Sequence, residues 1–559
     1  MTTEDGSATE PTTGSATGSG KQSPDSPDAP SPASPPRRRR PGPVTRRALL
    51  LGLGAAGGAG AMYAAMGALG LAPREQPRDF IPPRPGDFSL TGRSAAKVLI
   101  LGAGVTGLAC AYELGKAGYE CTVLEARDRI GGRCLTLRGG DRFTEIGDEQ
   151  QVVRFGEGNY LNAGPARIAQ WMLTMDYCRE LGVPVEVFIN DNAQAYVYTK
   201  GMRRPIRTAA YRADIHGYLS ELLAKATNAG ALDRRLTRAD RELLLDFLTE
   251  FGDLGRNHEY TGSERRGYAE PPGVAAGTIG PVPSVSQVLG YDLPRALTKA
   301  ASSEQAAPMF QMVGGMDGLV RAFVRKIGED RIETGTRVTR IDTMPDRVDV
   351  TCEGPDGTTV RSADYCIATL PPHLLARIPG NLGAPVVSAL TAAQPTPAGK
   401  IGIEYDRRWW EIEDNIFGGA TETDLDITRI WYPSYGFFGE RGVLVGYYTI
   451  GAGSDVYTRL SHRERHRRAL TQGKKIHGEK YRTGVLSSAS VAWMRQPYIE
   501  GAWASFSDPG VLGTLRRPAG RVYFAGDWLT HLNAWIAGAL ESARAVVTDL
   551  HRRVMSEPG

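Results

Sequence analysis

The sequence predicts an α/β fold, α+β when the whole chain is counted, and three observations carry that prediction. Residues 97–133 read KVLILGAGVTGLACAYELGKAGYECTVLEARDRIGGR: an apolar strand, a glycine-rich turn, a helix and a second strand in succession. Residues 208–302 repeat apolar side chains every three or four positions, the period of helices. From residue 333 onward, short runs of strand-forming residues alternate with turn signals.

The first stretch has a physical job at each step. Residues 97–101 suit a buried parallel strand, and Gly102, Gly104 and Gly107 follow in G-x-G-x-x-G register before a helix that ends near Gly118. The first glycine allows the tight turn, the second admits a pyrophosphate against the backbone, and the third lets helix pack on strand. Phosphate oxygens gain from the unpaired N–H groups and dipole of the helix N-terminus. A second apolar run, residues 121–124, ends at Glu125, where an acid that grips ribose hydroxyls is expected. A Rossmann-like dinucleotide site is therefore predicted here. Eight residues on, Gly131-Gly132-Arg133 resembles the second signature of the two-dinucleotide-domain flavoproteins, in which the glycines approach the FAD pyrophosphate and the arginine neutralises it. That resemblance makes the expected cofactor FAD.

The chain of 559 residues is long enough for several domains. Its net charge of +4, with no sustained basic face beyond the N-terminus, argues against nucleic acid as a partner. Residues 1–44 are rich in Ser, Pro, Gly and Thr and poor in large apolar groups, a composition expected to stay disordered. Arg46-Arg47 directly precedes the uncharged stretch 48–72, and residues 45–75 resemble a twin-arginine export signal, which implies the twin-arginine export machinery as a partner and a secreted or extracytoplasmic location. The competing reading is a retained membrane anchor, since about 20 apolar residues can span a bilayer. The many glycines make that stretch a poor permanent span. The six cysteines show no C-x-x-C pair, and Cys110 and Cys121 read as small buried apolar groups. The eight histidines form no metal-ligand cluster, so no metal is expected; His462 and His466, in SHRERHRR, read as a solvated helix face.

Residues 160–168, YLNAGPARI, bring the chain to a family. They closely resemble the segment leading from the FAD domain into the substrate site in the bacterial L-amino-acid oxidase branch of the flavin monoamine oxidase superfamily. The resemblance implies that Arg167 binds the substrate α-carboxylate and that Ala166 and Arg167 lie beside the cofactor. Local physics agrees: Pro165 suits a first helical turn, and a planar guanidinium grips a carboxylate with two parallel hydrogen bonds. A surface ion pair is the plainer reading of the same arginine. Where many relatives continue with Pro and a histidine pair, this chain has Ala169-Gln170-Trp171-Met172, which bears on side-chain specificity.

The helical stretch that follows carries Leu219, Leu222 and Leu223, then Leu243, Leu244, Phe247, Leu248 and Phe251, a pattern most simply read as core packing, with loop-like RRGY and PPG segments within residues 265–273. By resemblance it is a helical insertion covering the active site. Strand-like runs at 333–341, 347–352, 358–360 and 364–370 resemble the family's returning strand and small antiparallel sheet, with the backbone of Val338 near the adenine; a core valine is equally compatible. Lys400 heads an alternating strand, where the family places a lysine that holds a water against flavin N5. Alone, it would be read as a solvated strand-edge charge. The runs 427–432 and 442–450 complete a second sheet, and the family's carboxylate-binding tyrosine falls on Tyr448, or on Tyr447 with a one-residue shift. Only one of the two can enter the site, because successive strand residues face opposite ways. Residues 522–525 form a last apolar strand; Gly526-Asp527 resembles the segment that meets FAD phosphate or ribitol, with Asp527 in place of the commoner glutamate. A long helix starts near Trp535, which by resemblance walls the substrate cage, with Ala539 close to the flavin; a core anchor is the plainer role for Trp535.

The resemblance spans residues 97–554 and implies an FAD-binding part from 95–165, 308–375 and 501–559, with a mixed-sheet substrate part from 166–307 and 376–500. It implies an FAD-dependent L-amino-acid oxidase in which Lys400, Arg167, Tyr448 and Trp535 serve the reaction: hydride passes from substrate Cα to flavin N5, oxygen reoxidises the flavin, and 2-oxo acid, ammonia and hydrogen peroxide result. The expected partners are an L-amino acid and oxygen, and the family often forms homodimers. An oxidase of amines lacking a carboxylate, an amino-acid 2-monooxygenase and a non-catalytic binding protein that keeps the fold stay open as alternatives.

Overall fold

Strand Lys97–Leu101 lies at the centre of a five-stranded sheet in a computed structural model that describes residues 88–557 except 299 and 301. Residues 1–44, the Arg46-Arg47 signal and the apolar stretch 48–72 lie outside the described residues. Among the described residues, no helix is long and apolar enough to cross a membrane.

The sheet runs Ile332–Glu333, Glu120–Leu124, Lys97–Leu101, Tyr365–Ala368, Val522–Phe524, every pair parallel. In chain order this is 3-2-1-4-5. The direction of winding therefore reverses between Lys97–Leu101 and Tyr365–Ala368, and ligands of such sheets sit outside the carboxyl ends of the strands at that reversal. Helix Val105–Lys116 follows the first strand and buries Val105, Leu108, Ala109 and Leu114 against the sheet and the final helix Ile536–Ser556. The expected strand 333–341 is divided: Gly335 takes φ +65°, Gly335 and Thr336 donate backbone hydrogen bonds to Arg127 and Glu125, and the chain then enters the three-stranded antiparallel sheet Arg337–Thr343, Val348–Gly354, Gly357–Ala363.

A seven-stranded sheet forms the second layer, in the order Val485–Ala492, Ala398–Tyr405, Gly442–Ile450, Arg429–Trp431, Ala420–Thr423, Tyr196–Tyr198, Ile206–Arg207. Strand Ala398–Tyr405 is buried along its whole length. One face packs Ile401, Ile403, Tyr405 and Tyr447 with Trp409, Trp410 and Tyr481 into a core of large apolar groups. The other presents Lys400 and Tyr448 toward the parallel sheet. Register places Lys400 opposite Tyr448 and Ile401 opposite Tyr447, so period two separates the tyrosines.

Three expectations need correction. The apolar stripe of the insertion is not core: Leu219, Leu222, Leu223, Leu243, Phe247 and Phe251 are exposed. Helices Thr208–Asn228 and Arg238–Gly252 instead meet through small groups, where a Cβ on Gly252 would lie 2.4 Å from the Ser220 Cβ, and Ala224 and Leu248 are buried beside this seam. Close approach at small residues turns the larger side chains outward. The segment 265–273 is not all loop, since Tyr268–Glu270 pairs with Thr278–Ile279 as a short hairpin. Helix His462–His477 is not solvated all round either. Arg465 is fully buried against Glu145, and the ring of His462 lies against Ser490 and Ser488; burial lowers the pKa of that imidazole to about 4.

Candidate active site

A cavity of about 570 Å³ opens at the carboxyl ends of the parallel strands and reaches the mixed sheet. Gly102, Gly104, Glu125, Gly132 and Arg133 line its first end, and Thr369, Asp527 and Ala539 lie along it. Its far end is walled by Ala166, Arg167, Lys400, Tyr448 and Trp535. A smaller adjoining cavity of about 60 Å³ shares Ala166, Arg167, Lys400 and Tyr448.

The first end is built for a phosphate group. Gly104 is the N-cap of helix Val105–Lys116, no side chain caps it, and a Cβ there would meet nothing within 4 Å, so its approach is open to the cavity. Gly102 takes φ +101°, and a Cβ on Gly107 would lie 2.1 Å from the Gly102 carbonyl oxygen: turn and helix contact both need glycine. At Gly132, with φ +57°, a Cβ would lie 3.2 Å from the Gly104 Cα. The Glu125 carboxylate is buried and accepts from the Ala103 and Arg127 amides at 3.0 and 3.1 Å, which fixes its place beside the cavity.

Arg133 stands across from Asp527. Its Nη2 pairs with Oδ1, its Nη1 lies 3.2 Å from Oδ2, and Nη1 also donates to the Ala502 carbonyl at 2.9 Å. Asp527 in turn accepts from the Ala534 amide at 2.9 Å, linking this pair to the turn before Trp535. Gly526 lies behind the wall; its amide donates to Ser542 Oγ, and a Cβ would meet the Trp528 indole at 2.2 Å. Val338 is half-buried against the cluster that contains Leu99, Leu101 and Cys352, and its side chain is not among the cavity-lining groups. These glycine approaches, the open helix N-terminus and the buried acid fit FAD at this end.

At the far end, Arg167 is held between two tryptophans, its guanidinium carbon 5.2 Å from the Trp431 ring centroid and 5.7 Å from that of Trp535. Its Nη2 donates to Gln305 Oε1 at 3.0 Å, its Nε is buried without a hydrogen-bond partner, and it forms no ion pair among the described residues. Burial lowers its pKa to about 10; Tyr448 and Glu422 oppose the shift, Arg429 adds to it, and the group remains charged at neutral pH. Arg167 is half-buried, whereas Lys400 is buried. Its Nζ donates to the Asn162 carbonyl at 2.9 Å and to the Gly164 carbonyl, and lies 4.8 Å from the Tyr448 ring centroid. Burial, with the Arg167 charge, lowers its pKa to about 7. Tyr448 lines the cavity, whereas Tyr447 is fully buried on the opposite face with its ring centroid 4.1 Å from that of Tyr457.

Several residues at this end escaped the sequence reading. Gln305 and Trp431 contact Arg167, and Arg295, Arg429 and Glu422 complete the wall. The signal available for Glu422 and Arg429 was an acid and a base flanking a short turn, as in a hairpin pair. The Ala169-Gln170-Trp171-Met172 departure does not line the cavity: Ala169 and Met172 are core, and Trp171 Nε1 donates to the Ser303 carbonyl at 3.1 Å. It anchors the segment that carries Gln305 to Arg167.

Comparison with known proteins accords with this geometry. The model of the family described as flavin containing amine oxidoreductase matches residues 105–551, and that of pyridine nucleotide-disulphide oxidoreductase matches residues 53–153. The chain is 27% identical to a putative L-amino-acid oxidase, YobN, of Bacillus subtilis, over 81% of this chain and 94% of the relative. It is 29% identical to the flavin-dependent L-tryptophan oxidase RebO of Lentzea aerocolonigenes, over 81% and 98%. Among solved structures, cyclohexylamine oxidase from Brevibacterium oxydans superposes with a TM-score of 0.56 at 17% identity, covering 83% of this chain and all of that one, a likeness of fold. With a matched family model over most of its length and an FAD-shaped site at the sheet reversal, the chain belongs to the flavin containing amine oxidoreductase family and is an FAD-dependent oxidoreductase.

Proposed function

We propose that the protein is an L-amino-acid oxidase. The observation that supports this most is Arg167, a charged guanidinium in the cavity wall with an unpartnered Nε and, among the described residues, no carboxylate paired to it. A half-buried charge with a buried, unfilled donor is costly unless a ligand completes it, and the planar group matches a substrate α-carboxylate.

FAD, when bound, supplies a two-electron acceptor for the substrate Cα–H and passes those electrons to oxygen, giving hydrogen peroxide. The side chains do the rest. Arg167 holds the carboxylate, with Tyr448 on the same wall as a second contact, and so limits the orientations open to Cα. Trp431 and Trp535 flank the guanidinium and exclude water from the carboxylate pair, which strengthens it. Lys400 uses two N–H groups on the Asn162 and Gly164 carbonyls, leaving one position on Nζ. With a pKa of about 7, that position changes from a proton donor to a lone pair near neutrality, suited to holding a water and taking a proton from it.

The test is anaerobic addition of L-amino acids, D-amino acids and simple amines to the yellow holoenzyme, followed by air. Loss of flavin absorbance with L-amino acids, then stoichiometric peroxide and 2-oxo acid, is the expected result. Reduction by amines alone would overturn the reading, and a carboxamide product in place of 2-oxo acid would assign a monooxygenase.

A further inference from the structure

Beyond Arg167 the chamber carries more positive charge than an α-carboxylate neutralises. Arg295, Arg429 and Glu422 line the same wall. Near the cofactor end, Arg133 is matched by Asp527 and Arg127 by Glu125. At the substrate end, the described guanidinium groups are those of Arg167, Arg295 and Arg429, and the described carboxylate is that of Glu422. Two guanidinium charges are therefore left over among the described residues, besides the Lys400 amine, and an α-carboxylate accounts for one.

The two outer arginines are not equivalent. Arg295 is anchored through Nη2, which donates to the carbonyls of Thr423 and, at 3.2 Å, Thr428; its Nε, 3.1 Å from Glu422 Oε2, makes no hydrogen bond. Arg429 is held loosely, with Nη2 3.6 Å from the same Oε2, and its Nε is buried without a hydrogen-bond partner. Its guanidinium carbon lies 6.0 Å from the centroid of the Tyr448 ring, the residue that also faces Lys400. Arg167 and Arg429 are thus two guanidinium groups beside one tyrosine, each with a buried, unfilled Nε donor. Unfilled donors in a low-dielectric wall favour an acceptor that brings negative charge.

We infer that the preferred substrate is an L-amino acid whose side chain ends in a carboxylate, with Arg167 taking the α-carboxylate and Arg429, only loosely engaged by Glu422, taking the second. This rests on the amino-acid oxidase reading and adds the side-chain class to it. A cationic side chain is the poorer match, because it would compete with Arg295 and Arg429 for Glu422. A large apolar side chain would leave the excess charge desolvated and unanswered.

The test uses the FAD-loaded enzyme and two non-reacting probes of similar length, glutarate and valerate, titrated against the flavin absorption spectrum. Glutarate is expected to bind at least tenfold more tightly than valerate. Arg429→Met should abolish that preference, Arg429→Lys should retain part of it, and Glu422→Gln should tighten glutarate several-fold by removing the competing carboxylate. In the anaerobic assay, L-glutamate or L-aspartate should reduce the flavin at least tenfold more efficiently than L-leucine or L-lysine. If leucine or lysine is preferred and glutarate binds no better than valerate, the side-chain assignment is overturned while the oxidase reading stands. If neither acid perturbs the flavin and only simple amines reduce it, both fall together.

Discussion

Arg167 and Lys400 place two basic groups on one buried wall, and the guanidinium helps burial to hold the lysine at a pKa of about 7. The sign for stability follows. Because the folded pKa lies below the ordinary value of 10.5, the unfolded chain binds more protons between about pH 7 and 10.5, and the stability contribution of Lys400 rises with pH across that window. Lys400→Met should therefore gain stability relative to wild type most strongly below pH 7, with the gain fading toward pH 10. Denaturant unfolding at pH 6 and pH 9.5 checks this; an equal difference at both values would mean that the amine is not buried as found. The same group should give wild-type turnover an inflection near pH 7 that the methionine variant lacks.

Arg167→Met removes the guanidinium but keeps the aliphatic stem between Trp431 and Trp535. Loss of a desolvated charge pair corresponds to about 2–5 kcal/mol, so kcat/KM for the best amino acid should fall roughly 30- to 5,000-fold. FAD content should not change, because Arg167 is not part of the glycine cradle. Kinetics equal to wild type would remove Arg167 from substrate binding.

Gly104 and Gly107 should fail in different ways. A Cβ on Gly107 would strike the Gly102 carbonyl at 2.1 Å, and backbone yields little, so Gly107→Ala should destabilise the apoprotein by about 1–3 kcal/mol. A Cβ on Gly104 meets no protein atom within 4 Å but projects where the pyrophosphate must approach. Gly104→Ala should leave apoprotein unfolding closer to wild type while raising the FAD dissociation constant. Equal FAD affinity in both variants would place the pyrophosphate elsewhere.

What was legible in the sequence was what local chemistry determines. The strand, glycines and helix of residues 97–118 are contiguous, so their pattern is complete in one short stretch. Arg167 was legible through its motif. Tyr447 and Tyr448 were indistinguishable by pattern, and only pairing with Ile401 and Lys400 separates them. Gln305 is 138 residues from Arg167 and reaches it through the packing of Trp171, a relationship no local signal carries. Glu422 opposes Arg429 because Ala420–Thr423, a strand that composition did not reveal, folds back on Arg429–Trp431, which lies within the expected run 427–432. The exposed leucines of the insertion were misread because periodicity identifies an apolar face without saying whether that face or a seam of small residues makes the contact.

We also propose export through the twin-arginine route, which is testable independently of the site. The Arg46-Arg47 pair before an uncharged stretch supports passage of the folded, FAD-loaded protein through a twin-arginine route. Substituting both with lysine should retain the holoprotein inside the producing cell, read as flavin absorbance in cell and medium fractions. Unaltered secretion would rule that signal out.

Arg465 and Glu145 form an ion pair with both side chains at 0% exposure and Nη1 2.7 Å from Oε2. The pair is embedded rather than isolated. Glu145 Oε1 accepts from the Ala492 amide at 2.7 Å and from Gln496 Nε2 at 3.3 Å, while Arg465 Nε donates to the Tyr457 carbonyl at 2.8 Å. It therefore fastens helix His462–His477 to Val485–Ala492, the edge strand of the sheet that carries Lys400. Removing one partner leaves the other charge buried, which costs about 3–5 kcal/mol, so Arg465→Met and Glu145→Gln should each lower the unfolding midpoint sharply. Replacing both removes the stranded charge, and the double variant should be more stable than the sum of the single losses predicts. Denaturant titration of the four proteins closes the cycle; strict additivity would mean that the two side chains act on stability separately. The same four proteins should show flavin reduction rates that follow their folded fractions, since neither residue lines the cavity.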